Sequence, residues 1–82
     1  MAKLKFLDAP PGGDAITAYD EAHHDVYWRL LDAEAENADW KEVVSVVFGI
    51  DPGEDVTRAK LIHDTHLARA RWMSQAGYRK LL

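Results

Sequence analysis

Eighty-two residues, no cysteine and a formal net charge of −4 at pH 7 leave room for one domain with one modest core. So small a chain disfavours a deep, dehydrated substrate pocket. The missing cysteine excludes a disulfide framework, a thiolate zinc site and a cysteine nucleophile, and it fits a reducing compartment such as the cytoplasm.

The net charge conceals a polarity along the chain. Residues 1–55 carry four basic against thirteen acidic side chains, about −9, whereas residues 56–82 carry six basic ones against Asp64 alone, about +5. A free-standing DNA binder needs several Lys or Arg on phosphates, and a strongly negative remainder repels the duplex at low salt. The polarity therefore suits a protein partner better than nucleic acid, although the two halves can also complement each other within one fold. No apolar run approaches the roughly 20 residues of a membrane span, and the stretch Met1 to Leu7 is short for a signal peptide.

Asp8-Ala9-Pro10-Pro11-Gly12-Gly13-Asp14 joins a Pro-Pro to a Gly-Gly pair, which forbids regular helix and favours an open segment. Residues 1–16 are expected to form a flexible arm, whose Leu4, Phe6 and Leu7 can lie against the body or a partner. Residues 17–82 form the domain proper. A first helix is predicted from Ala18 to Ala35, because Tyr19, His23, Val26, Tyr27 and Leu30 recur at the three-and-four spacing of a buried face. Thr17 is its N-cap, and Asp20 and Glu21 in the first turn favour the positive end of the helix dipole.

Asn37 and Ala38 break this pattern, and Asp39-Trp40-Lys41-Glu42 reads as a capping box opening a second helix. Its body, Val43 to Phe48, could equally be a buried strand by composition; the cap before it and Gly49 behind it decide for helix. Turn chemistry fills Gly49 to Glu54, and Asp55 caps a long third helix from Val56 to Gln75, although Asp51, Pro52 and Glu54 could open it four residues earlier. Ala59, Ile62, His63, His66, Ala70 and Met73 make its main face, Gly77 stops it, and Tyr78 to Leu82 remain as a tail. Helix, short helix, glycine-containing turn and Arg-rich helix is the order of a helix-turn-helix unit. The expected fold is an all-α small helical bundle containing a helix-turn-helix variant.

The third helix carries a second apolar stripe, with Leu61, Thr65, Ala68 and Trp72 at i, i+4, i+7 and i+11, roughly 100° from the main face and interleaved with Arg58, Lys60, Arg69 and Arg71. Either the arm or the tail folds over this stripe, or it is a partner groove anchored by Trp72. On the second reading the contact residues are Arg58, Leu61, Thr65, Ala68, Arg69 and Trp72. Catalytic constellations are incomplete. His63 and His66 lie one turn apart, and Glu21-Ala22-His23-His24 contains the Glu-x-x-His spacing of di-iron bundles, but neither is supplied with the remaining ligands. No phosphate loop or nucleophile elbow is recognisable, so neither catalysis, a metal nor another cofactor is expected.

Tyr19-Asp20-Glu21-Ala22-His23, Leu30-Leu31-Asp32-Ala33, Ala38-Asp39-Trp40, Ile50-Asp51-Pro52 and above all His66-Leu67-Ala68-Arg69-Ala70-Arg71-Trp72-Met73 with Gly77-Tyr78-Arg79 and Leu81-Leu82 resemble a proteobacterial family of helix-turn-helix variant domains. The resemblance covers residues 17–82. That family occurs in regulators of conjugative elements, its longer members being transcriptional activators that bind promoter DNA through the recognition region. In length and acidity the chain resembles the short antiactivators of the QseM type. The resemblance implies binding to a LuxR-type quorum-sensing activator and to an excision activator, and so repression of excision and transfer of an integrative and conjugative element. Gly53-Glu54-Asp55-Val56-Thr57 departs from the activators, placing acidic and apolar residues where a recognition helix would approach phosphates. The alternative is a small DNA-binding helix-turn-helix transcription factor using Arg58, Lys60, Arg69 and Arg71.

Overall fold

The computed structural model describes residues 6–75, whose regular structure is helical with no strand among them. Four helices follow in chain order: α1 (Ala18–Ala22), α2 (His24–Ala35), α3 (Trp40–Val43) and α4 (Val56–Gln75), with α3 widening into a π-helical turn, Val44–Phe48. The small all-α bundle expected from the sequence is what forms. The tail and the stop at Gly77 lie outside the described residues.

Thr17 caps α1 as predicted. Its hydroxyl accepts from the Asp20 amide at 3.1 Å while the Asp20 carboxylate accepts from the Thr17 amide at 2.9 Å, a reciprocal capping box. The continuous first helix of the sequence reading is interrupted at His23, whose backbone leaves helical geometry at φ −114°, ψ 16°. The Tyr19 carbonyl still accepts from the His23 amide at 3.0 Å and also lies 2.8 Å from the His23 ring Nδ1, so the helical pairing persists up to the break. Pairing resumes with the Tyr27 amide donating to the His23 carbonyl.

Helix α2 ends in a Schellman arrangement: Ala38 donates to the Ala33 carbonyl, Asn37 donates to the Glu34 carbonyl, and Asn37 takes φ 56°. Asp39 caps α3 through the Lys41 amide. The β-branched run after it is helical rather than a strand. Its wide turn buries Val44 and Phe48 while leaving Val46 79% exposed, and it closes at Gly49, whose φ of 67° suits a residue without Cβ. The turn between it and α4 occupies residues 49–55, longer than the three or four residues usual in helix-turn-helix units. Asp55 accepts from the Arg58 amide and starts α4 at Val56, so the earlier start at Asp51 is not taken.

The core gathers Val26, Leu30, Val43, Val44, Phe48, Ala59 and Ile62, with Phe6 from the arm packed against it. Phe6 meets the Phe48 ring edge-on at 4.7 Å between centroids. The arm thus lies against the body, the docked one of the two placements open to it.

Beside the apolar core sits a polar one. Asp20 is 0% and Arg69 7% exposed, and Arg69 grips both oxygens of Asp20, its Nη2 at 2.7 Å from Oδ2 and its Nε at 3.1 Å from Oδ1. Tyr27 adds a hydroxyl bond to Asp20 at 2.8 Å. The rest of the guanidinium donates to the Gly13 and Ala15 carbonyls, both at 2.8 Å. Among the described residues no buried side-chain nitrogen or oxygen lacks a partner. Burial opposes ionisation of Asp20, but the bonds from Arg69, the Thr17 amide and Tyr27 prevail and hold its pKa at about 2.

An uncompensated charge in this position is far worse than a paired one. Asp20→Ala is therefore expected to lower unfolding free energy in urea by about 3–5 kcal/mol. The double replacement Asp20→Leu with Arg69→Met should recover most of that loss. A D20A chain within about 1 kcal/mol of the parent would show the pair to be solvated.

Candidate partner-binding surface

Helix α4 presents Leu61, Thr65, Ala68 and Trp72 on one side, as its spacing requires, but the arm runs across most of this stripe. The Thr65 hydroxyl lies 3.0 Å from the Asp8 carbonyl as well as 2.7 Å from the Leu61 carbonyl of its own helix, and Arg58 Nε donates to the Asp8 carboxylate at 2.9 Å. Pro10, Pro11 and Gly12 then border a shallow depression with Thr65, Ala68 and Trp72. Leu61, at 46% exposure, and Ala68 remain exposed, while Thr65 and Trp72 are half-buried.

Arg69 leaves the set of contact residues outright. It faces inward to Asp20 and serves as the floor on which Trp72 lies, with the guanidinium carbon 3.9 Å from the ring centroid. The remaining cations of α4 also have carboxylates within the chain. Arg58 has Asp8, Lys60 has Asp64 at 3.3 Å, and Arg71 holds Glu34 of α2, its Nε 3.1 Å from Oε2. Lys60 also stands over the Trp40 ring at 4.9 Å.

A histidine and a tyrosine pin the start of the arm. The fully buried His66 has Nδ1 2.7 Å from the Ile62 carbonyl, which fixes the proton on that nitrogen. Its Nε2 accepts from the Tyr19 hydroxyl at 2.6 Å, and that oxygen accepts from the Leu7 amide at 3.1 Å. Burial pushes the His66 pKa below its usual value and the nearby His23 adds to this, against a smaller opposing effect of the Ile62 carbonyl. Burial likewise raises the Tyr19 hydroxyl. The remaining histidines pair locally, His63 with Asp64 and His24 with Asp25. Among the described residues no three His, Asp or Glu side chains gather as a metal-binding group.

The open apolar surface lies on another side. A groove of about 460 Å3 runs between the α1–α2 segment and the last turns of α4, lined by Ile16, Tyr27, Trp28, Leu31, Ala70 and Met73 with Glu21 and His24 at its edge. Trp28 stands 59% exposed at the rim.

No protein-family model matches the chain, and no curated protein matches it.

The sequence pattern picked out the buried face of this segment, Val26, Tyr27 and Leu30, and missed this groove. Its signal was a second stripe, since His24, Trp28 and Leu31 follow at i, i+4 and i+7 beside the buried Val26, Tyr27 and Leu30. Of the residues predicted for partner contact, Thr65, Ala68 and Trp72 are brought together beside the arm, with Ala68 still exposed, and Arg58 pairs with the arm at Asp8.

Two consequences are measurable. Because His66 holds its proton less tightly folded than unfolded, its contribution to stability is complete above the ordinary histidine pKa of about 6.5 and declines as pH falls below it. Asp20 adds a second decline as pH drops from 3.8 towards about 2. Denaturant midpoints against pH should show both limbs, with His66→Gln flattening only the upper one; an unchanged upper limb would assign it elsewhere. Trp72→Ala should lower stability by about 1–2 kcal/mol through loss of its stacking on Arg69 and its cover by the arm. A fully stable W72A chain would place Trp72 outside the fold's support.

Proposed function

We propose that this chain is a cytoplasmic protein-binding antiactivator, acting by stoichiometric association rather than catalysis, and that it represses excision and transfer of an integrative and conjugative element by holding a LuxR-type quorum-sensing activator and an excision activator away from their promoters. The observation that carries the reading is electrostatic. Each of the four cations on the helix that would enter a DNA groove, Arg58, Lys60, Arg69 and Arg71, faces a carboxylate of the same chain.

A phosphate must displace those carboxylates before it gains a contact. Exposed pairs such as Arg58–Asp8 and Arg71–Glu34 are individually weak, but they offset the local positive potential that gives DNA binders their affinity and on-rate. Glu54 and Asp55 at the entering end of α4 add to the repulsion. The residues shared with the helix-turn-helix variant family support the same reading, because a related scaffold with its charge neutralised can still engage relatives that retain theirs. The exposed Trp28 beside an open apolar groove supplies surface of the kind that dominates protein interfaces. No helix among the described residues is long and apolar enough to cross a membrane.

Titration of a fluorescently labelled activator of this class with the full chain should give a saturable complex at micromolar concentration or below. A promoter fragment mixed with the chain alone at physiological ionic strength should migrate unretarded. Absence of the complex removes the antiactivator reading, and a sequence-selective, steeply salt-dependent shift of the promoter would favour the transcription-factor alternative.

A further inference from the structure

We infer that the groove formed by Ile16, Tyr27, Trp28, Leu31, Ala70 and Met73 is the seat for a basic amphipathic helix of the partner protein. The inference rests on the protein-binding reading and specifies which surface is used and what kind of element it receives.

The shape favours a helix over an extended strand. Both long walls belong to helices, α2 and α4, whose backbone groups are paired within their own ladders. An extended peptide would find no free sheet edge to receive its amides and carbonyls, whereas a helix brings its backbone already satisfied and offers only side chains. The buried Tyr27 and Ala70 make the floor, the half-buried Ile16, Leu31 and Met73 the sides, and Trp28 a lip that an incoming apolar face can cover.

The charge around the groove selects the sign of the partner. Glu21 lines it, and Asp25 and Asp32 flank Trp28 at i−3 and i+4 on α2, with Arg29 the cation among them; all four are exposed. His24 leans on Asp25 at 3.3 Å. Lysine or arginine beside the apolar face of a bound helix would meet Glu21 at the groove's edge and Asp25 and Asp32 just beyond Trp28, while an acidic helix, an anionic lipid surface or the like-charged α2 face of a second copy would be repelled. The cations of α4 are held by Asp8, Asp64, Asp20 and Glu34 and do not offset this.

The test uses the full-length chain, labelled with 15N, and two synthetic helical peptides with leucines at i, i+3, i+4 and i+7, one with lysine and the other with glutamate at the intervening positions. The lysine peptide should shift the Trp28 indole N–H and the backbone amides of Glu21–Leu31 and Ala70–Ser74. Trp28→Ala, which the exposure of that side chain permits without unfolding, should weaken it by about tenfold or more. Asp25→Lys with Asp32→Lys should weaken it several-fold, with a smaller difference at high salt.

Equal binding of the glutamate peptide overturns the proposal, as do shifts confined to the Leu61 and Thr65 side of α4. Binding that appears only after residues 76–82 are deleted also overturns it, assigning the groove to the chain's own end. Concentration-dependent shifts of the free chain at the same residues would assign it to a second copy instead. Activator binding that survives W28A unchanged overturns the groove assignment and leaves the antiactivator reading intact. A wild-type chain that ignores the activator yet binds the lysine peptide at these residues overturns the antiactivator reading and upholds the seat.

Discussion

The buried pair between Asp20 and Arg69 is the constraint from which the rest of the arrangement follows. Neither ion could remain in the interior alone, and the two are bound to each other and to the chain around them. Asp20 accepts from Arg69, Tyr27 and the Thr17 amide, while Arg69 donates to Asp20 and to the carbonyls of Gly13 and Ala15. One guanidinium thereby joins the start of the bundle, the middle of α4 and the arm. Replacing such a pair by apolar residues is often neutral or stabilising, so its value here lies in position: it fixes where the arm crosses and which face of α4 is covered.

That placement has an electrostatic result. With the arm down, Asp8 reaches Arg58, and with α2 beside α4, Glu34 reaches Arg71. Acidic charge from the first half of the chain is thus laid over basic charge of the second, and the polarity visible along the sequence is consumed inside the fold. What remains outward is the acidic, apolar side of α2. A helix-turn-helix order of elements does not by itself make a DNA-binding surface, and here each cation of α4 has a carboxylate of the same chain beside it.

Much of this was legible residue by residue. The Asp55 cap gave the start of α4, Thr17 gave the start of α1, Asn37 the end of α2 and Gly49 the end of the π-helical turn, because caps and left-handed positions depend on chemistry close in sequence. The break at His23 was not legible, since Tyr19, His23, Val26, Tyr27 and Leu30 keep helical spacing across it. Arg69 was read as surface because its partner is 49 residues away. A clue was present, because Arg69 keeps step with Ile62, His66 and Met73 on the main face, as Asp20 does with Tyr27, and a single charge on each of two apolar faces is the pattern of a buried pair. The second stripe on α4 was real but served the arm, whose Pro-Pro-Gly-Gly chemistry excluded helix without saying where the extended chain would lie.

Side-chain NMR of the arginine Nε–H groups, recorded while a promoter-length DNA duplex is added at low and then physiological ionic strength, tests the central claim most directly. A guanidinium locked under the arm by Asp20 predicts a slowly exchanging Arg69 resonance that stays in place at every duplex concentration. A rapidly exchanging Arg69 signal that moves as the duplex is added would contradict the lock and the electrostatic conclusion drawn from it.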